Sequence, residues 1–98
     1  MAKQISWSPD AKRDYLLIVD YLNAHWSQRE VLNFIDRTEE ILDLIADNPL
    51  LFVSSEKKPG VHRCVIVSQV SMFYRVQHET IELLRFWDNR MDPTKLDY

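Results

Sequence analysis

The sequence is poor in the residues that loosen a chain or staple it. It has a single glycine, Gly60, and four prolines, so few backbone positions are open to left-handed or kinked geometry. It has a single cysteine, Cys64, which excludes an internal disulfide and fits a reducing, cytoplasmic setting. The N-terminal dozen residues carry no apolar core of a signal peptide, and no apolar run approaches the roughly 18 residues of a membrane span. There is no basic excess: the net charge is −3, which argues against a non-specific nucleic-acid binder. No metal-ligand spacing surrounds His25, His62 or His78, so neither a metal nor a cofactor is expected.

What is present is a core. Three Trp, four Tyr and four Phe in 98 residues supply large buried areas, and a chain this long buries about 65% of its unfolded surface as one domain. No repeat or low-complexity tract divides it. The charges segregate. Residues 29–56 are mostly acidic among their charged positions, whereas residues 57–75 hold four basic residues and no acidic one.

Residues 3–7 alternate as a short strand with Ile5 and Trp7 on one face. Ser8-Pro9 opens a helix at about 9–24, with Ala11, Tyr15, Ile18, Val19 and Leu22 as its core stripe. Ser27-Gln28-Arg29-Glu30 reads as a capping box for a second helix. That helix has a stripe of Val31, Phe34, Ile35, Thr38, Ile41, Leu42 and Ile45, and it ends near Pro49. Its outer face carries Asp36, Glu39, Glu40 and Asp43, either a plain solvated face or a complement to a basic partner segment. Residues 50–60 form a loop, with Leu50, Leu51, Phe52 and Val53 expected to pin its start to the core.

Residues 61–92 organise the rest. Val61–Val67, Val70–Val76 and residues 80–87 are rich in Val, Ile, Phe, Tyr and Trp, and the breaks between them are short enough for hairpins. The predicted fold is α+β: an N-terminal helix hairpin packed on one face of an antiparallel sheet made of the short first strand and a C-terminal three-stranded meander. The other sheet face is left without a helix.

Four arginines, Arg63, Arg75, Arg85 and Arg90, lie in or just beyond the meander. Each is either a group that binds a target through its guanidinium or half of a structural ion pair. For Arg75 and Arg85 alike the structural partner expected is Glu82 or Glu79 across the strand. Strand parity puts Arg75 with Ser71 and Phe73, and Arg85 with Leu83 and Trp87. Lys57 and Lys58 are solvated loop lysines or target contacts. Cys64 reads as a small buried hydrophobe, and the Asp88-to-Pro93 stretch as a turn capped by Asp side chains.

The opening Trp7-Ser8-Pro9-x-Ala11-x-x-Asp14-Tyr15-x-x-Ile18-x-x-Tyr21-Leu22 resembles the start of small RelE/ParE-type toxins of bacterial toxin–antitoxin modules. His62-Arg63-Cys64, Phe73-Tyr74-Arg75-Val76, Ile81-Glu82-Leu83-Leu84-Arg85 and Arg90-Met91-Asp92-Pro93 are similar to the ParE side of that superfamily. The resemblance implies the toxin of a plasmid-stabilisation-type module, wrapped and neutralised by the C-terminal segment of a cognate antitoxin. ParE-like members act on DNA gyrase; RelE-like members cleave messenger RNA on the ribosome. Here His62, Cys64, Ser71 and Trp87-Asp88 stand where RelE-like relatives carry lysines, an arginine and a histidine, which favours the ParE-like reading. In the nuclease alternative the candidates are His62, Arg63, Arg90 and Tyr98. In the binding reading they are Arg63, Arg75, Arg85, Arg90, Lys57 and Lys58. A third possibility is a non-toxic relative that only binds its antitoxin.

Overall fold

The computed structural model describes residues 2–55 and 57–98, so Glu56 of the polar loop lies outside the described residues. Strand β1 (Gln4–Trp7) leads into helix α1 (Pro9–His25) and helix α2 (Gln28–Asp47). Strands β2 (Val61–Val67), β3 (Val70–Val76) and β4 (Thr80–Asp88) follow, then a single 3-10 turn at Pro93–Lys95. The sheet order is β1-β4-β3-β2. The meander is antiparallel throughout, but β1 runs parallel to β4, in register from Gln4↔Thr80 to Trp7↔Leu83. The sheet is therefore mixed rather than all antiparallel. The helices and two strands that intervene between β1 and β4 provide the long connection that parallel pairing requires. Among the described residues no helix is long and apolar enough to cross a membrane.

Ser8 ties the start of α1 to the sheet. Its hydroxyl accepts from Ala11 N–H at 3.0 Å and donates to Leu84 C=O at 3.0 Å, and its own N–H donates to Leu83 C=O at 3.0 Å. Ser27 Oγ accepts from Glu30 N–H at 3.3 Å, which is the Ser half of the predicted capping box. Gly60, at φ +81°, occupies the left-handed region at the turn into β2, a conformation open to glycine without strain.

The principal core lies between the helices and the sheet. Phe34, Ile41 and Ile45 of α2 meet Cys64, Ile66, Met72, Tyr74, Ile81, Leu83 and Phe86. Trp7 stacks on Phe86 at 5.4 Å between centroids, and Tyr15 packs against Trp7, Phe34 and Phe86 at 5.2–5.3 Å. Buried Thr38 satisfies its hydroxyl on Phe34 C=O at 2.8 Å.

Two departures from the predicted pattern shape the other face. First, the β3–β4 register shifts between Phe73↔Arg85 and Tyr74↔Leu83, which leaves Leu84 as an extra residue. Such a bulge reverses side-chain parity beyond it. Leu83 thus joins the helix-side core while Trp87 joins a second cluster, so these two do not share a face as strict alternation predicts. Second, the face without a helix is not bare. Val61, Phe73 and Trp87 are covered by Leu96, with Leu84 and Tyr98 packed against them.

The loop before β2 is also held differently. Leu50, Leu51 and Val53 are exposed, and only Phe52 packs on the core. Backbone bonds do the pinning instead. Arg63 N–H donates to Val53 C=O at 3.0 Å and Ser55 N–H to Val61 C=O at 2.6 Å, so the loop lines the outer edge of β2.

Candidate interaction face

Three of the four arginines are paired. Arg75 meets Glu82 across β3 and β4 at 2.5 Å, as the cross-strand reading expects. Arg90 forms a two-point contact with Asp88, at 3.0 and 2.7 Å, and lies over the Tyr21 ring at 5.7 Å. The Arg90 hydrogen bond holds the Asp88 carboxyl below its ordinary value. Asp88 also accepts from Arg90 N–H at 2.9 Å, and Asp92 from Thr94 N–H at 2.9 Å, the capped turn expected there.

Arg85 is tied most deeply, but to Asp14 of α1 and not to Glu82 or Glu79 across the strand, because Glu82 is taken by Arg75. Its Nε and Nη2 donate to Asp14 at 2.6 and 3.2 Å, and its Nη1 donates to Asp97 C=O at 2.8 Å. Phe86 N–H donates to the same Asp14 carboxylate at 3.2 Å. β1 stops pairing at Leu83, and Asp14 takes over the β4 edge from there. The hydrogen bond that Arg85 donates to Asp14 raises the Arg85 pKa further still. The sequence carried Asp14 only as one position of the opening motif. Its role is visible only once α1 lies along β4.

Arg63 is the exception. Among the described residues it meets no carboxylate, only Asn89 Oδ1 at 3.5 Å, and that oxygen already accepts from Ser71 Oγ at 2.8 Å. Arg63 shares a groove of about 380 Å³ with Lys57, Phe73, Leu96 and Tyr98. Tyr98 stacks on Phe73 at 4.8 Å, bonds through its hydroxyl to Ser55 Oγ, and lies under Lys57 Nζ at 5.3 Å. Lys58 Nζ donates to the main-chain oxygen of Tyr98 at 2.9 Å. Both loop lysines thus hold the tail on the sheet.

His62 is elsewhere. It is buried on the helix side of β2, stacked on Tyr74 at 5.2 Å, with Nδ1 3.0 Å from Phe52 C=O. Cys64 is buried beside it in the core, and burial pushes its thiol up to about 11. Of the four nuclease candidates, only Arg63 and Tyr98 come together. His62 lies on the opposite sheet face, and Arg90 sits beside Tyr21. Among the described residues no group of three potential ligands is placed to hold a metal ion.

A second surface went unpredicted. Leu17, Tyr21, Leu22, Trp26, Val67 and Met91 line an apolar groove of about 210 Å³, with Asp88 and Arg90 among its lining residues. The signal was in α1. Six apolar residues within positions 16–22 are more than one helix face can bury, and Leu16, Leu17 and Tyr21 remain exposed.

The architecture is that of small bacterial toxins. Similar solved structures include the chromosomal ParDE toxin–antitoxin system from P. aeruginosa, at TM-score 0.72 and 20% identity over 89% of this chain and 96% of that one. The E. coli DinJ-YafQ toxin-antitoxin complex is similar at TM-score 0.66 and 11% identity, over 92% and 96% of the two chains. The YoeB dimer from Staphylococcus aureus is similar at TM-score 0.60 and 20% identity, over 87% and 94%. Compared by sequence with curated proteins, the chain finds no match. Residues 5–93 match the family described as the ParE toxin of the type II toxin-antitoxin system, parDE. The chain belongs to the ParE toxin family.

Proposed function

We propose that this toxin acts by binding and inhibiting DNA gyrase, not by cleaving RNA. The observation that carries the reading is the scattering of the nuclease candidates. RNA cleavage needs a general base, a general acid and cations converging on one phosphate. Here His62 is turned into the helix-side core, Arg90 is clamped by Asp88, and only Arg63 and Tyr98 share a groove. Membership of the ParE family supports the same target.

The partner that restrains the toxin is a cognate antitoxin, in keeping with similarity to toxin–antitoxin complexes. The apolar groove on α1 and the acidic outer face of α2 suit an antitoxin segment that is apolar on one side and basic on the other. The sheet face centred on Arg63, with Lys57 and Lys58 at its edge, is the surface for gyrase.

The test is a supercoiling assay with purified gyrase and the purified chain, run beside end-mapping of messenger RNA in a translating extract. Inhibited supercoiling that is restored by antitoxin, with no new message ends, is the expected result. His62→Ala should keep that inhibition. Unchanged supercoiling together with new cleavage sites would replace this reading with the RelE-like one.

A further inference from the structure

On the sheet face one weakly matched side chain, Arg63, and one with an unmatched donor, Trp87, line the same cavity. Arg63 of β2 pairs with Phe73 of β3, and Ser71 of β3 with Trp87 of β4, so Arg63 and Trp87 sit diagonally across β3 on the side away from the helices. They line a cavity of about 300 Å³ with Phe73, Asn89, Met91 and Leu96. The indole N–H of Trp87 is buried and has no acceptor among the described residues. A buried donor without an acceptor is rare and destabilising, because nothing replaces the water it gave up. The Arg63 guanidinium, as noted, reaches only an amide oxygen at the limit of hydrogen-bond length. Among the described residues no Asp or Glu lines the cavity.

The geometry points to this notch as a receptor for one carboxylate presented by a protein partner, with Arg63 and the Trp87 N–H as its donors. The inference rests on the reading of this face as the surface that meets a protein target. A carboxylate is a planar, two-oxygen acceptor. One oxygen can take the guanidinium edge while the other takes a single N–H. The apolar walls from Phe73, Met91 and Leu96 suit the methylene stem of Glu or Asp. A nucleic-acid phosphate fits less well, since it arrives with a row of neighbouring charges and this chain carries a net −3. A carboxylate here also separates two roles on the same face. Lys57 and Lys58 are engaged by Tyr98, whereas Arg63 meets no carboxylate among the described residues.

Trp87 supplies its own reporter. The three tryptophan indole N–H signals in an ¹H–¹⁵N spectrum are assigned with Trp87→Phe, then followed during titration with N-acetyl-glutamate α-amide, a monocarboxylate, and separately with inorganic phosphate. The expected result is a saturable shift of the Trp87 signal alone, with apparent affinity for the carboxylate about tenfold weaker in Arg63→Gln. Unchanged Trp7 and Trp26 positions in ligand-free Arg63→Gln verify that the variant is folded. Arg63→Lys, which keeps the charge and loses the fork, should fall between the two. A Trp87 signal that ignores the carboxylate, or shifts equally in Arg63→Gln, overturns the proposal, as does tighter binding of phosphate. The titration uses no gyrase. A failure of the notch therefore leaves the supercoiling result standing, and a failure to inhibit gyrase leaves the notch to be judged on its own.

Discussion

Asp14 and Arg85 clasp each other across 71 residues of sequence, through hydrogen bonds of 2.6 and 3.2 Å, and the same carboxylate takes the Phe86 N–H at 3.2 Å. One side chain therefore fastens α1 to β4 and closes the part of the β4 edge that β1 leaves open. Both partners are largely buried, with side chains 15% and 11% exposed for Arg85 and Asp14. Removing one leaves the other without an opposite charge, held only by Asp97 C=O for Arg85 or by Phe86 N–H for Asp14. Asp14→Ala should destabilise the fold by about 3–5 kcal/mol, whereas Asp14→Asn, which retains an acceptor, should cost less. Urea unfolding followed by circular dichroism measures both.

Arg75 provides the contrast. Its pair with Glu82 is more open, with side chains 44% and 28% exposed. Arg75→Ala should cost no more than about 1 kcal/mol in the same experiment, and it should leave gyrase inhibition intact. A loss of inhibition without a loss of stability would place Arg75 in the target surface.

The tail makes a separable contribution. Leu96 is buried over Val61, Phe73 and Trp87. Leu96→Ala should destabilise by about 2–3 kcal/mol while the far-ultraviolet spectrum stays native. Trp87 fluorescence should shift to the red, because water then reaches the sheet face.

Alkaline pH should loosen the core. Burial pushes Cys64 from an ordinary value near 9 to about 11, and Tyr74 from near 10 to about 12. Over that range the unfolded chain releases these protons before the folded one does. Stability is therefore complete below pH 9 and falls as pH rises toward 12, at up to about 1.4 kcal/mol per pH unit for each group. Cys64→Ala should flatten the first part of that decline in denaturation midpoints measured from pH 8 to 11.

Acid should act at the apolar groove, where Asp88 and Arg90 are among the lining residues. The hydrogen bond from Arg90 lowers the Asp88 pKa, so the stability this pair contributes is present above the ordinary carboxylate range near 4 and is lost as pH falls below it. Asp88→Asn should remove that pH dependence. The Arg90 Nε–H signal should exchange more slowly in the parent at neutral pH than in Asp88→Asn, which lacks the charged acceptor.

The elements were legible in the sequence because each is locally determined. Ser8-Pro9, Ser27 and the period-2 runs of the meander set α1, α2 and the hairpins within one or two residues. The direction of β1 was not legible, since a five-residue strand carries no record of which neighbour it will meet. The face of Trp87 was hidden for a different reason. Alternation fails wherever a bulge inserts a residue, and nothing in Leu84-Arg85 announces one. At the candidate site, the residue types were evident, but their partners depend on contacts such as Asp14–Arg85 and Lys58–Tyr98, 71 and 40 residues apart. Sequence offered four arginines of similar standing, and only packing singled out Arg63.

The pairing of β1 with β4 also sets a schedule. The first strand to leave the ribosome waits for Thr80–Leu83, and until those residues emerge the helix hairpin has only part of a sheet on which to bury its apolar stripe. The last long strand completes the core, the Asp14 anchorage and the Arg63 face together. A chain built this way completes the Arg63 face only once β4 has been made, so one interrupted before Thr80 lacks both the Asp14–Arg85 clasp and the Trp87 wall of that face.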